Sequence, residues 1–142
     1  MVNPKVCEGE CVPKGWGEEI IIANNKDYCG KVLVFNESGK FSMHFHMIKD
    51  ETWYVEKGRF VYRWIDIETA EIKENLLKPG DVVRQLPGQP HQLECLNGGG
   101  RIFEVSTEHK DSDSYRVMPG DSQSKKDINP FKQINFSVCI FI

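Results

Sequence analysis

The chain has 142 residues, 27% of them charged, and a formal net charge of −3. That length suits one domain with a buried core, and the charge balance offers no basic field for nucleic acid. No apolar run approaches the roughly 20 residues of a membrane-spanning helix. The opening "MVNPKVCEGECVPKGWG" lacks the apolar stretch of a secretory leader. The expected setting is therefore cytoplasmic, away from membranes.

Residues 1–15 read as an N-terminal segment, in which Cys7 and Cys11 form a C-x-x-x-C without a second pair or a nearby histidine. Five scattered cysteines read as free thiols of a reducing compartment. Short alternating runs follow, rich in Val, Ile, Phe, Tyr and Trp: 18–24, 28–36, 40–46, 51–57, 59–67, 70–78, 81–86, 91–97 and 101–108. "NESGK", "EKGR", "KPGD", "LPGQP" and "NGGG" punctuate them as turns. No window carries a long 3.6-residue apolar period, so the spacing predicts an all-β sandwich or barrel over residues 16–107. The polar stretch after residue 108 predicts an irregular arm, 108–142. Its tail from Ser122 onward is expected to be dispensable for the barrel. The closing "CIFI" has the form of a prenylation box at Cys139, but isoleucine is not a usual final residue there.

The chemistry concentrates in "FSMHFHMIKDETWYVEKGRF", residues 41–60. Residues i and i+2 of a strand share a face, with Cβ atoms about 7 Å apart, so His44 and His46 project together. Glu51 opens the next strand after the turn "MIKD", and an antiparallel return brings it beside the pair. His91 opens another strand after "LPGQP". Three imidazoles and a carboxylate suit one divalent ion, Zn first and Mn, Fe or Ni besides, with positions left open for a substrate. His109 falls in the polar arm and reads as solvated.

These residues resemble the cupins, small β-barrels that carry a metal between their strands. "HFHMIKDETWYVEKG" matches the first cupin motif from His44 to Gly58 without a gap. "GDVVRQLPGQPHQLEC" matches the second at Gly80, Gly88 and His91. Leu86 stands where that motif has Pro and Cys95 where it has Asn, and Gly39 lies one residue closer to His44 than usual. The resemblance implies a double-stranded β-helix (jelly-roll) barrel with His44, His46, Glu51 and His91 on a metal.

Within the cupins, "GWGEE" and "HMIKDETWYVEKG" are similar to the C-terminal domain of type II mannose-6-phosphate isomerases. Their motif Q-x-H-x-x-R-x-E-x-W aligns with His44 in the Gln position, His46, Lys49 for Arg, Glu51 and Trp53. The later run "RIFEVSTEHKDSDSYRV" is similar to that family's closing strand. The resemblance implies aldose–ketose isomerisation of a sugar phosphate. Glu104 would shuttle the proton, Lys49 and Arg116 would hold the phosphate, and Trp53 would line the pocket. The His-for-Gln change restores the generic cupin ligand set, so two alternatives stand beside it: a Mn- or Fe-dependent oxidase or dioxygenase, and a non-catalytic sugar-binding cupin. The expected partners are a small carbohydrate or sugar phosphate and a second copy of the chain, since a barrel this short has Trp16, Trp53 and Trp64 to place.

Overall fold

The structure is a computed structural model, and it describes residues 3–124. The alternating runs become antiparallel strands: β1 (Glu10–Lys14), β2 (Gly17–Asn24), β3 (Cys29–Phe35), β4 (Met43–Phe45), β5 (Glu51–Lys57), β6 (Phe60–Ile65), β7 (Ile72–Leu77), β8 (Val82–Gln85), β9 (His91–Cys95), β10 (Gly100–Ser106) and β11 (Tyr115–Met118). A 3₁₀ turn spans Asp111–Asp113, and one short helix, α1, spans Asp121–Ser124. One sheet runs β1-β2-β3-β10-β5-β8 and the other β11-β4-β9-β6-β7. The architecture is the expected cupin-type jelly roll.

Alternation builds the core between the two sheets. Leu33, Phe35, Trp53, Val55 and Ile102 come inward from the first sheet, and Phe60, Tyr62, Leu77, Leu93 and Cys95 from the second. Trp16 stacks on Phe35 with ring centroids 4.6 Å apart, and Phe35 meets Phe60 edge-on at 5.1 Å. Such pairs contribute on the order of 1 kcal/mol each beyond their burial. The aromatic packing continues upward through Phe41 and Trp53 to His91, whose ring lies 5.2 Å from that of Trp53. The apolar core is therefore the floor of the histidine site.

Two segments differ from their sequence reading. The N-terminal segment supplies β1, which pairs with β2; "ECVPK" contains a proline and shows no clean alternation. The arm is not irregular throughout, because β11 pairs with β4 beside His44. The tail from Ser122 onward, expected to be dispensable for the barrel, lies outside the described residues but for its first three. Gly15 N–H donates to Ser122 Oγ at 2.9 Å, and Lys40 N–H donates to Asp121 Oδ2 at 2.9 Å, so residues 121–122 clip the arm to the barrel. Cys139 and the apolar stretch 133–142 lie outside the described residues. Among the described residues, no helix is long and apolar enough to cross a membrane.

Candidate metal centre

β4 and β9 are paired with His44 opposite His91. His46 follows β4 in the turn that leads to β5. Its carbonyl accepts a 2.6 Å hydrogen bond from Gly88 N–H, which ties the first motif to the turn of the second. That turn needs Gly88 because its φ is +82°, a left-handed value that side chains disfavour. Leu86 in place of proline leaves the turn closed, with Gln89 N–H on the Leu86 carbonyl at 3.1 Å.

The three rings pack against one another, with centroids 4.7 Å apart for His44–His91 and 5.1 Å for His44–His46. One nitrogen from each lies within 4.8 Å of the others, a group that can hold a metal ion. Each ring is oriented from behind through Nδ1. His44 faces the Ser42 carbonyl at 2.8 Å, His46 the Asp113 carbonyl at 2.7 Å and His91 the Gln89 carbonyl at 2.8 Å. A carbonyl only accepts, so Nδ1 carries the proton of each neutral ring and Nε2 is left as a lone pair. Backbone support of this kind fixes ring orientation and tautomer at metal sites. Burial pushes the His44 pKa well below the ordinary imidazole value, and His91 and His46 add to the shift. Burial also lowers that of His46, against the pull of Glu51.

Glu51 is buried at the start of β5. Its Oε1 lies 2.9 Å from His91 Nε2 and its Oε2 lies 3.8 Å from His46 Nε2. His91 Nε2 and Glu51 Oε1 are both acceptors, and only a proton or a cation between them makes that contact favourable. The donor set therefore fits a divalent ion held by three neutral imidazoles, with Glu51 beside them. Burial works against the Glu51 charge, but Lys49, His91 and His46 together outweigh it and hold the carboxyl well below the usual range.

Lys49 is not in solvent, although its turn position allows that reading. It is 3% exposed, and its ammonium bridges Glu51 Oε2 at 2.7 Å and Glu104 Oε2 at 3.0 Å. Burial disfavours its charge, yet Glu104 and Glu51 together raise its pKa above the ordinary lysine value. Glu104 points inward on β10, where it is buried in step with Ile102. Its Oε1 accepts from Trp53 Nε1 at 3.2 Å. Trp53 is thus buried and presents its N–H to the catalytic candidate. Arg116 sits on β11 opposite His44 and lines the same cavity.

The cavity measures about 560 Å³ and opens onto His44, His46, Glu51 and Glu104. Sequence reasoning missed several of its wall residues. Lys31, in the apolar-looking "YCGKVLVFN", is buried and paired with Glu19 at 3.4 Å. His109, expected in solvent, is only 21% exposed at its side chain and lines the cavity, its ring 6.4 Å from that of His46. Asp113 was missed as well. Its carboxylate accepts the backbone N–H of Met47, Ile48 and Lys49, and so shapes the turn that carries His46. Inward parity on β3 marks Lys31. No local spacing marks His109 or Asp113, which reach the site only through tertiary folding of the arm.

No family model matches the chain, and no curated protein matches it in sequence. Solved structures do match. Oxalate decarboxylase from Bacillus subtilis superposes with a TM-score of 0.68 at 14% identity, over 77% of this chain and 30% of that one. The capsular polysaccharide assembling protein CapF from Staphylococcus aureus superposes at 0.70 with 20% identity, over 78% and 34% respectively. This chain has the cupin fold. It spans about a third of the length of these matched structures, so the likeness reports one barrel of larger proteins. Mn(II) centres are described for the B. subtilis decarboxylase.

Proposed function

We propose that this cupin binds one divalent metal ion and isomerises a sugar phosphate between aldose and ketose, with mannose 6-phosphate and fructose 6-phosphate as the first pair to test. One observation carries the reading: three histidine lone pairs converge, two of them from rings that line the cavity, beside a buried carboxylate, Glu104, that Lys49 and Trp53 hold in place. His44, His46 and His91 would hold the ion, with Glu51 as the fourth ligand; Zn suits them first, and Mn, Fe or Ni fit the same donors. When bound, the metal would act as a Lewis acid on a substrate oxygen.

The remaining work falls to the chain itself. Glu104 would take the proton from C2 and return it at C1 while the O2 hydroxyl proton passes to O1, so the exchange is redox-neutral. Lys49 and Trp53 each grip one oxygen of that carboxylate and fix its direction. With its ammonium shared between two carboxylates, Lys49 acts as a positioning residue, and Arg116 at the cavity wall is the better candidate for the phosphate. The charged and polar side chains on the cavity wall, Arg116 among them, suit a hydroxylated, phosphorylated ligand. The likeness to a capsular polysaccharide assembling protein adds a carbohydrate-linked neighbour.

Incubating metal-loaded protein with mannose 6-phosphate in D₂O tests the reaction. Fructose 6-phosphate should appear, with deuterium at C2 of recovered substrate, and Glu104→Gln should lower kcat while metal content stays unchanged. No turnover of any hexose or pentose phosphate would sink the isomerase and return the oxidase and the sugar-binding module to the front.

The chain is also proposed to pair with a second copy. Ile20, Val32, Phe103, Tyr54 and Val82 are successive register partners across the six-stranded sheet, an apolar row in which Tyr54 and Val82 are exposed. A monomer mass by light scattering at micromolar concentration would refute the pairing.

A further inference from the structure

We infer that Gln85, aimed by Tyr62, is a positioning residue for Glu51, and that its side-chain amide donates to the Glu51 carboxylate and sets how that carboxylate meets a divalent ion. The inference rests on the metal-binding reading of the histidine cluster and is independent of which reaction the site performs.

Register places the two side chains together. Glu51 on β5 and Gln85 on β8 stand opposite one another in the six-stranded sheet. Cross-strand partners leave the same face with Cβ atoms about 5 Å apart. Both point into the barrel, Glu51 at 2% and Gln85 at 1% exposure.

The amide is held at one end only. The Tyr62 hydroxyl reaches across from β6 in the facing sheet and donates to Gln85 Oε1 at 2.8 Å. Burial raises the Tyr62 pKa and the Glu51 charge adds to it, against the Gln85 bond, so the hydroxyl keeps its proton. The Tyr62 ring is itself braced edge-on against Trp53, with centroids 5.9 Å apart. Gln85 Nε2 is buried and has no hydrogen-bond partner among the described residues. A buried donor left unmade is costly, so a pair that served the core alone would be better replaced by apolar side chains.

The neighbour that can use this donor is Glu51. Its Oε1 lies 2.9 Å from His91 Nε2 and its Oε2 lies 2.7 Å from Lys49 Nζ. An ionised carboxylate offers about four lone-pair sites, so room remains for an amide N–H. Turning the amide over would set Oε1 against the carboxylate, acceptor to acceptor. Tyr62 and Glu51 therefore select the same orientation. Ligating carboxylates are held by hydrogen bonds of this kind, and a neutral donor fixes direction without taking further charge from the ligand.

A crystal structure of the zinc-loaded wild type should place Gln85 Nε2 about 2.9 Å from a Glu51 oxygen. Competitive zinc titrations and melts of metal-free protein supply the rest. Gln85→Leu should weaken zinc binding by about 10- to 100-fold. Tyr62→Phe should weaken it by roughly 3- to 10-fold, the loss of one neutral hydrogen bond. The double variant should bind zinc no more weakly than Gln85→Leu alone, because Tyr62 acts through the amide. With both polar groups replaced by apolar ones, the metal-free double variant should keep the wild-type Tm. A merely structural pair would show the reverse, a lowered Tm with wild-type zinc affinity, and that result would overturn the inference. So would an Nε2 out of hydrogen-bond reach of Glu51 in the zinc-loaded wild type, which is read without any variant and survives a variant that fails to fold. The two readings fail separately. Zinc bound with Gln85 turned away from Glu51 would keep the metal centre and lose the positioning role, whereas a wild type that takes up no zinc would lose both.

Discussion

Replacing Asp113 by alanine should damage the metal site without touching a ligand. The carboxylate accepts Met47 N–H at 2.8 Å, Ile48 N–H at 3.1 Å and Lys49 N–H at 2.9 Å, and the same residue's carbonyl holds His46 Nδ1 at 2.7 Å. Three backbone donors lose a charged acceptor at once. Hydrogen bonds to charged groups contribute about 1.5–3 kcal/mol each, but they are not additive here. The side chains of Met47 and Ile48 are exposed, so water can reach the freed turn. A net loss of about 2–3 kcal/mol follows, which for a domain of this size lowers Tm by roughly 10 °C. With its supporting carbonyl loosened, His46 should cost the site about 10- to 100-fold in metal affinity. Thermal melts and a competitive zinc titration read the two effects. A Tm change under about 2 °C together with wild-type affinity would refute the reasoning, because the turn would then hold its shape without Asp113.

Other outcomes follow from the same geometry. Lys49→Met leaves Glu51 and Glu104 buried without their cation; it should cost about 3–5 kcal/mol at pH 7. The loss should shrink near pH 5, where one carboxyl can take up a proton; melts of metal-free protein at both values check this, and an equal loss at both would contradict it. The metal-free fold should also weaken on acidification. His44 and His46 have depressed pKa values when folded, whereas unfolded imidazoles titrate near 6.5. Below about pH 6.5 the unfolded chain therefore binds more protons, and stability falls as pH falls. Asp113 contributes nothing in that window. Burial opposes its charge, the backbone donors outweigh burial and lower its pKa, and its share is lost only as pH drops through that lower value. A flat Tm between pH 7 and 5 would show that the two rings are not held neutral.

The barrel was legible because period-two alternation and glycine turns survive in isolation. "ETWYVEK" gives β5 with Trp53 and Val55 buried and Tyr54 out, as its pattern requires. β1 and β11 were not legible, since "ECVPK" and "YRVM" form strands only against β2 and β4. The histidine cluster could be read from H-x-H and the turn before His91. Its supports could not, because Asp113 and His109 lie more than 60 residues along the chain from His46 and arrive with the arm. Lys49 shows the limit most plainly. A lysine in a turn gives no sign that two carboxylates await it in the interior.

The central claim is that His44, His46 and His91, with Glu51 beside them, hold one divalent ion. Elemental analysis of protein prepared without chelators, wild type against His91→Ala, tests it most directly. The account predicts one equivalent of a divalent metal per chain in the wild type, and its loss in the variant with the fold retained. A metal-free wild type that takes up no ion from millimolar zinc, manganese, iron or nickel, or a His91→Ala protein that keeps its full equivalent, would contradict it.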